Sequence, residues 1–318
     1  MTKRSVVLEK ALNEASAPAI PMRGHQAGYR PKVNTYDGWT PREWKQYIRD
    51  MVVFGTNAFE MMPPNTDDAA DSPHFTRLQI DMLPIMSELA HNHGMDVWLW
   101  YPAMAEDYSD TATVNKELAE WGAVFEKIPY IDDILVPGGD PGHTKPVHLM
   151  NLLEKQTAVL HKTHPNARMW VSPQGFTADW MDEWLELLKP EPEWLHGVVF
   201  APQNRLSLAD MRALVPARYP IRHYPDITHS YSCQYPVQDW DVAYQLTQHR
   251  EVINPRPEFL TKVFHWSMED TVGFVTYSEG VNDDYNKILW SLLGWDPDMD
   301  IAEITRQYAR YYIGPEYE

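Results

Sequence analysis

Cysteine is almost absent: Cys233 is the only one in the chain, so no internal disulfide can form and no cluster of thiolates can bind a metal. Long apolar runs are missing as well. The first residues, MTKRSVVLEKALNEASAPAIP, lack the apolar stretch of a signal peptide, and no later segment has the length of a membrane span. The expectation is a cytoplasmic protein with no membrane partner. Positive charge is scarce: 27 Lys and Arg stand against 45 Asp and Glu, a formal net charge of −18 that repels nucleic-acid backbones and anionic lipid alike. There is no internal repeat, no low-complexity tract and no linker.

Against these absences, 44% of the 318 residues are hydrophobic, enough for a folded core of barrel size. The pattern alternates short apolar runs with amphipathic stretches, the sign of a parallel sheet whose strands are joined by helices. Strands are expected at Ile20–Gln26, Asn57–Met62, Asp96–Tyr101, Ile134–Val136, Arg168–Val171, Gly197–Phe200, Pro220–Tyr224 and Val272–Tyr277. Helices are expected from Thr40, over Phe75–Asn92, Val114–Phe125, Pro146–His161, Trp180–Leu188, Val242–Arg250 and Asp284–Leu293. Eight strands in this order close a (β/α)8 barrel, a TIM barrel of class α/β, over residues 1–318. Residues 1–19 form an N-terminal extension, and 301–318 hold a helix packed outside.

Barrel chemistry sits where each strand hands over to the next loop. Those positions hold Arg23, His25 and Gln26; Glu60; Trp100 and Tyr101; Asp140 and His143; Gln174; Gln203; His223, Tyr224 and Asp226; and Tyr277 and Glu279. The mixture of carboxylates, amides, imidazoles and aromatics suits the reading of hydroxyl groups and acid–base chemistry at a sugar. The 13 Trp and 17 Tyr point the same way, since aromatic faces stack on sugar rings; at least one of Trp100, Trp266 and Tyr277 is expected to wall the mouth.

Asp140 is the sharpest signal. Gly138-Gly139 before it and Gly142 after it permit a tight turn, and Pro137 and Pro141 stiffen that turn. Such a rigidly aimed carboxylate suits a general acid or a charge stabiliser; an Asx-turn or helix cap is the structural alternative. A glycosidase needs a second carboxylate, for which Asp226 and Glu279 lead, with Glu60 and Glu269 behind them. Glu279 lies across the barrel from the fourth strand and is more naturally a sugar-hydroxyl ligand. Arg23 and His25 are expected either to clamp adjacent hydroxyls or a uronate, or to tie strands together through a salt bridge to Glu60 or Glu279.

The turn Val136-Pro137-Gly138-Gly139-Asp140-Pro141 resembles the H-x-G-G-D-E motif of family 20 glycoside hydrolases, the β-N-acetylhexosaminidases. Pro21-Met22-Arg23-Gly24 and Asn57-Ala58-Phe59 resemble that family's first two strands, and Ala90–Val97 its passage from the second helix to the third strand, over a span of roughly residues 20–295. The resemblance implies a sugar-binding Arg23 and a Glu279 that contacts the terminal sugar. It departs at Pro141, which replaces the family's general-acid glutamate. Asp140 then resembles the single fourth-strand acid of the related α-glucuronidase and α-N-acetylglucosaminidase barrels. The implied protein is a glycoside hydrolase acting on an oligosaccharide, with no cofactor.

Two other functions stand beside it. A metal-dependent sugar isomerase or hydrolase would draw ligands from His25, Glu60, Asp140, His143, His223 and Glu279, although no H-E-x-x-H spacing occurs. A sugar-binding barrel without catalysis would have no second carboxylate within about 10 Å of Asp140. Gly138-Gly139 opens no phosphate-cradling loop. The sequence carries no signature of a particular oligomeric state.

Overall fold

A computed structural model describes residues 15–27, 35–62, 72–228, 255–278 and 284–318. Strands β1 (Met22–Ala27), β2 (Ala58–Met61), β3 (Asp96–Trp100), β4 (Asp133–Pro137), β5 (Arg168–Ser172), β6 (Leu195–Phe200), β7 (Ile221–His223) and β9 (Gly273–Ser278) pair in parallel, and β9 pairs with β1 to close the ring. The result is a (β/α)8 barrel. The seventh staff of the barrel is broken: Pro225 lacks an N–H, the Tyr277 N–H bonds the Pro225 carbonyl at 2.8 Å, and the chain resumes as the short β8 (Asp226–Thr228) beside β9.

Around the barrel lie α1 (Pro41–Val53), α2 (Gln79–Asn92), α3 (Thr111–Lys127), α4 (Pro146–Leu160), α5 (Ala178–Leu188), α6 (Leu208–Leu214), α7 (Pro257–Met268), α8 (Asp284–Trp295) and α9 (Ile301–Tyr312). Thr40 starts α1 with a capping box, its backbone N–H donating to Glu43 Oε2 at 3.0 Å and its hydroxyl accepting from Arg42 N–H at 3.2 Å. α2 starts later than its apolar spacing suggests, because residues 72–78 are held as a turn: Ser72 Oγ donates to Asp37, and Thr76 Oγ1 donates to the Trp39 carbonyl at 2.6 Å. α6 and α7 were not expected from the sequence. The expected helix at Val242–Arg250 lies outside the described residues. α9 packs on α1 and its following turn, with the Tyr311 ring edge-on to Phe54 at 5.2 Å and its hydroxyl donating to Asp50 at 2.7 Å.

Alternation divides each strand between two cores. Outward side chains meet the helices in a large apolar layer. Inward ones form a second cluster with Ala58, Trp98, Trp100, Leu135, Trp170, Val199, Tyr224, Val275 and Tyr277 at its centre. Trp170 fits only because Gly197 faces it on β6; a Cβ there would overlap the indole ring. Gly197→Ala is expected to cost about 1–3 kcal/mol, read by chemical denaturation, because the packed interior has no slack to take up the methyl.

Two polar links cross this interior. Asp133, fully buried, accepts from Arg168 Nε and Trp170 Nε1 at 2.7 Å each, near the N-terminal end of the barrel. Higher up, Glu60 accepts from Arg222 Nη1 at 2.5 Å and Nη2 at 3.1 Å and from Gln26 Nε2 at 2.8 Å, while the Tyr224 hydroxyl donates to Gln26 Oε1 at 3.0 Å. The Arg222 guanidinium also lies 4.5 Å over the Trp98 ring.

Candidate active site at the barrel mouth

Asp140 follows β4 by three residues and so stands at the C-terminal mouth. Its turn is gripped between two neighbouring loops. A Cβ on Gly139 would lie 2.8 Å from the Gln174 carbonyl oxygen in the β5 loop, and one on Gly142, whose φ is +120°, would collide with the Ala103 carbonyl in the β3 loop. Backbone therefore abuts backbone on both sides, which is why the sequence places glycines there. The Gly138 N–H bonds the Ser172 carbonyl at 2.9 Å, and the Thr144 N–H returns to Gly138 at 3.2 Å. Asp140 itself is half-buried and accepts a hydrogen bond from Gln203 Nε2 in the β6 loop.

Around this carboxylate stand Gln174 and His143. Gln174 is buried, its backbone N–H bonds Ser172 Oγ at 3.0 Å, and its Oε1 has no hydrogen-bond partner among the described residues. A buried amide oxygen of this kind is fit to accept from a ligand hydroxyl. His143 is exposed on the rim, its ring 4.7 Å from that of Trp180 in the first turn of α5. The floor is aromatic but closed: Trp100 and Tyr277, only 5% and 6% exposed, belong to the inner cluster and form no open wall of the mouth, and Tyr224 lies 6.2 Å from Tyr277. Asp226 is buried opposite Tyr277 in the register.

Other expected site residues lie elsewhere. Arg23 is at the start of β1, where its guanidinium donates to the carbonyls of Gly55 at 2.7 Å, Pro21 at 3.2 Å and Ile20; it ties the N-terminal end of the barrel and makes no salt bridge to Glu60. His25 points outward, between Thr276 Oγ1 at 2.8 Å and Ser291 Oγ of α8 at 2.7 Å. Gln26 and Glu60 point inward but are sealed, fully buried, beneath the floor. Tyr101 faces out and stacks on Trp121 at 3.8 Å. Trp266 lies in the last turn of α7, 54% exposed, its ring 6.2 Å from that of Phe200 and 6.3 Å from that of His223, on the helix side of the barrel wall rather than in its mouth. Glu269 is exposed at the end of the same helix. Glu279 lies outside the described residues.

His223 also faces the helices, 5.6 Å from Phe200 and 6.0 Å from Trp290 by ring centroid. Burial first, and the neighbouring Arg222 charge second, push its pKa down from 6.5 to about 3. The unfolded histidine takes up a proton below 6.5 that the folded one refuses until about pH 3. Wild-type stability relative to His223→Leu is therefore expected to fall as pH drops through that window, by about 1.4 kcal/mol per pH unit, in paired denaturant titrations. His25 is shifted the same way, by burial and then by Lys287.

Among the described residues no three His, Cys, Asp or Glu side chains are grouped to hold a metal ion. The His91-Asn92-His93 pair ends α2 just before β3, at the face opposite the mouth. Among the same residues, no helix is long and apolar enough to cross a membrane.

Residues absent from the sequence expectations are Arg222, which holds Glu60, and Trp180, which backs His143. Parity along Ile221–Tyr224 was the available signal for Arg222. It puts 222 and 224 on one face and 221 and 223 on the other.

No protein-family model matches the chain, and no curated protein sequence matches it. Solved structures match in fold. CpGH84B is similar at 11% identity and TM-score 0.58 over 92% of this chain and 52% of that one. An endo-1,4-β-mannanase from Rhizomucor miehei aligns at 11% and 0.53 over 89% of this chain and 98% of that one. A sugar phosphate isomerase/epimerase from Parabacteroides distasonis aligns at 10% and 0.52 over 90% and 96%. The chain spans about half the length of CpGH84B. At such identities the likeness defines the class of fold alone, a (β/α)8 barrel; membership of family 20 is carried by no family model.

Proposed function

We propose that this barrel is a glycoside hydrolase acting on an oligosaccharide, with Asp140 as a working carboxylate and Asp226 as its leading partner. The observation that carries the reading is the grip on Asp140: a carboxylate presented at the mouth by a turn wedged between two loops and bonded by Gln203, with the buried, unpartnered amide oxygen of Gln174 in the adjoining loop. That is the equipment for binding a sugar ring and stabilising an oxocarbenium-like transition state. Glycosidic hydrolysis adds water across a C–O bond: one carboxyl delivers a proton to the leaving oxygen, and the other stabilises the charge or activates the water. The glycoside hydrolase barrels among the similar structures favour this substrate class. Gln174 provides the hydroxyl ligand, and the buried Trp100 and Tyr277 support the floor beneath it. The reading is tested with aryl glycosides of N-acetylglucosamine, glucuronic acid, galactose and xylose, followed by Asp140→Asn on whichever is cleaved. A barrel that binds these sugars and cleaves none is the outcome expected of a non-catalytic sugar-binding protein.

A further inference from the structure

Three non-glycine residues with positive φ occur among the described residues, and two of them flank Asp140: His143 at 49° and Gln203 at 59°. The third, Glu191 at 52°, lies in the turn after α5. The left-handed conformation is unfavourable for a residue with a side chain, and it persists where the surroundings impose it. At Gln203 the surroundings are explicit. Arg205 Nε donates to the Phe176 carbonyl at 2.8 Å, tying the β6 loop to the β5 loop, and Asn204 Oδ1 accepts from the Leu206 N–H at 3.3 Å. The β5 loop in turn abuts the β4 turn, where a Cβ on Gly175 would lie 3.3 Å from that of Asp140. From this braced, turned-back backbone the exposed Gln203 side chain reaches across to Asp140 Oδ2 and closes the ring of three loops.

We propose that Gln203 is the positioning residue of Asp140. Its amide N–H holds one carboxylate oxygen as an acceptor and so leaves the other to act on the substrate. The proposal rests on the reading of Asp140 as a working carboxylate. An amide N–H only donates and is best met by an unprotonated oxygen, so it favours the proton on the other one; the angle of the free oxygen is set by a contact that costs no rearrangement when substrate binds. The strained backbone has its explanation in that reach: in an extended conformation the side chain would leave the ring.

Gln203→Asn separates reach from backbone. Asparagine tolerates the left-handed region well and keeps the amide, but it is one methylene short. In the full-length chain, with the aryl glycoside that wild type cleaves best, Gln203→Asn is expected to lower kcat about tenfold or more, leave KM within about threefold, and melt at or above the wild-type temperature. The Gln203 side-chain amide resonances in a 15N–1H spectrum are expected to move in Asp140→Asn, a readout that requires no turnover. An Asn variant with wild-type kcat overturns the proposal, as does a Gln203 amide signal indifferent to Asp140→Asn. Full activity in Asp140→Asn instead overturns the reading of Asp140 itself, so the two failures are told apart.

Discussion

Asp140→Asn is expected to fold like wild type and to lose about a hundredfold or more in kcat on any glycoside the protein cleaves. The amide is nearly isosteric with the carboxylate, and the turn that presents it is built from backbone contacts of Gly139 and Gly142 rather than from the Asp140 side chain. Packing therefore survives, while both the negative charge and the ability to carry a proton disappear. Were Asp140 only a turn or capping residue, the same change would cost at most about 1 kcal/mol and leave turnover intact. Matched melting curves and steady-state kinetics decide between these. Undiminished turnover would move the chemistry to Asp226 and Glu279.

The largest stability effect is expected beneath the site. Glu60 and Arg222 are both wholly buried, and the carboxylate accepts from both Nη atoms of the guanidinium as well as from Gln26. Removing one partner strands the other charge in the barrel interior, so Arg222→Leu is expected to lose about 3–5 kcal/mol in chemical denaturation. Glu60→Leu combined with Arg222→Leu should recover much of that loss, because it is the stranded charge rather than the missing attraction that costs. A double variant as unstable as Arg222→Leu alone would show that the pair holds the inner packing by shape. The pair also underlies the mouth: Tyr224, part of the aromatic floor, is fixed through Gln26 to Glu60.

The fold was legible because it is written in short apolar runs at regular intervals. Parallel strands buried on both faces leave that trace, and the runs at Asp96, Ile134, Arg168 and Gly197 fall on β3 to β6 within two residues. The turn at Asp140 was legible for a related reason, since only close backbone approach calls for glycines at 138, 139 and 142 together. What the runs do not convey is direction. Arg23 and His25 share β1 with Gln26, yet Arg23 sits at the wrong end and His25 on the wrong face, because one step along a strand reverses the side chain. His223 and Tyr224 divide in the same way across a single peptide bond, into the helix layer and the barrel interior. Trp266 misled for another reason: α7 was not expected, so a helix-surface tryptophan was placed near a strand end. The Gln203–Asp140 bond joins residues 63 apart through a left-handed backbone, and neither separation nor conformation leaves a mark in composition or periodicity.

Turnover of the aryl glycoside panel by the wild-type chain tests the central claim most directly. Release of the aryl group from at least one of the N-acetylglucosaminide, glucuronide, galactoside or xyloside, at a rate lowered about a hundredfold or more in Asp140→Asn, is the result expected of a barrel whose chemistry sits on the β4 loop. No release from any of them, with the same sugars still binding in a calorimeter, would contradict it and leave a carbohydrate-binding barrel in which Asp140 is a ligand and not a catalyst.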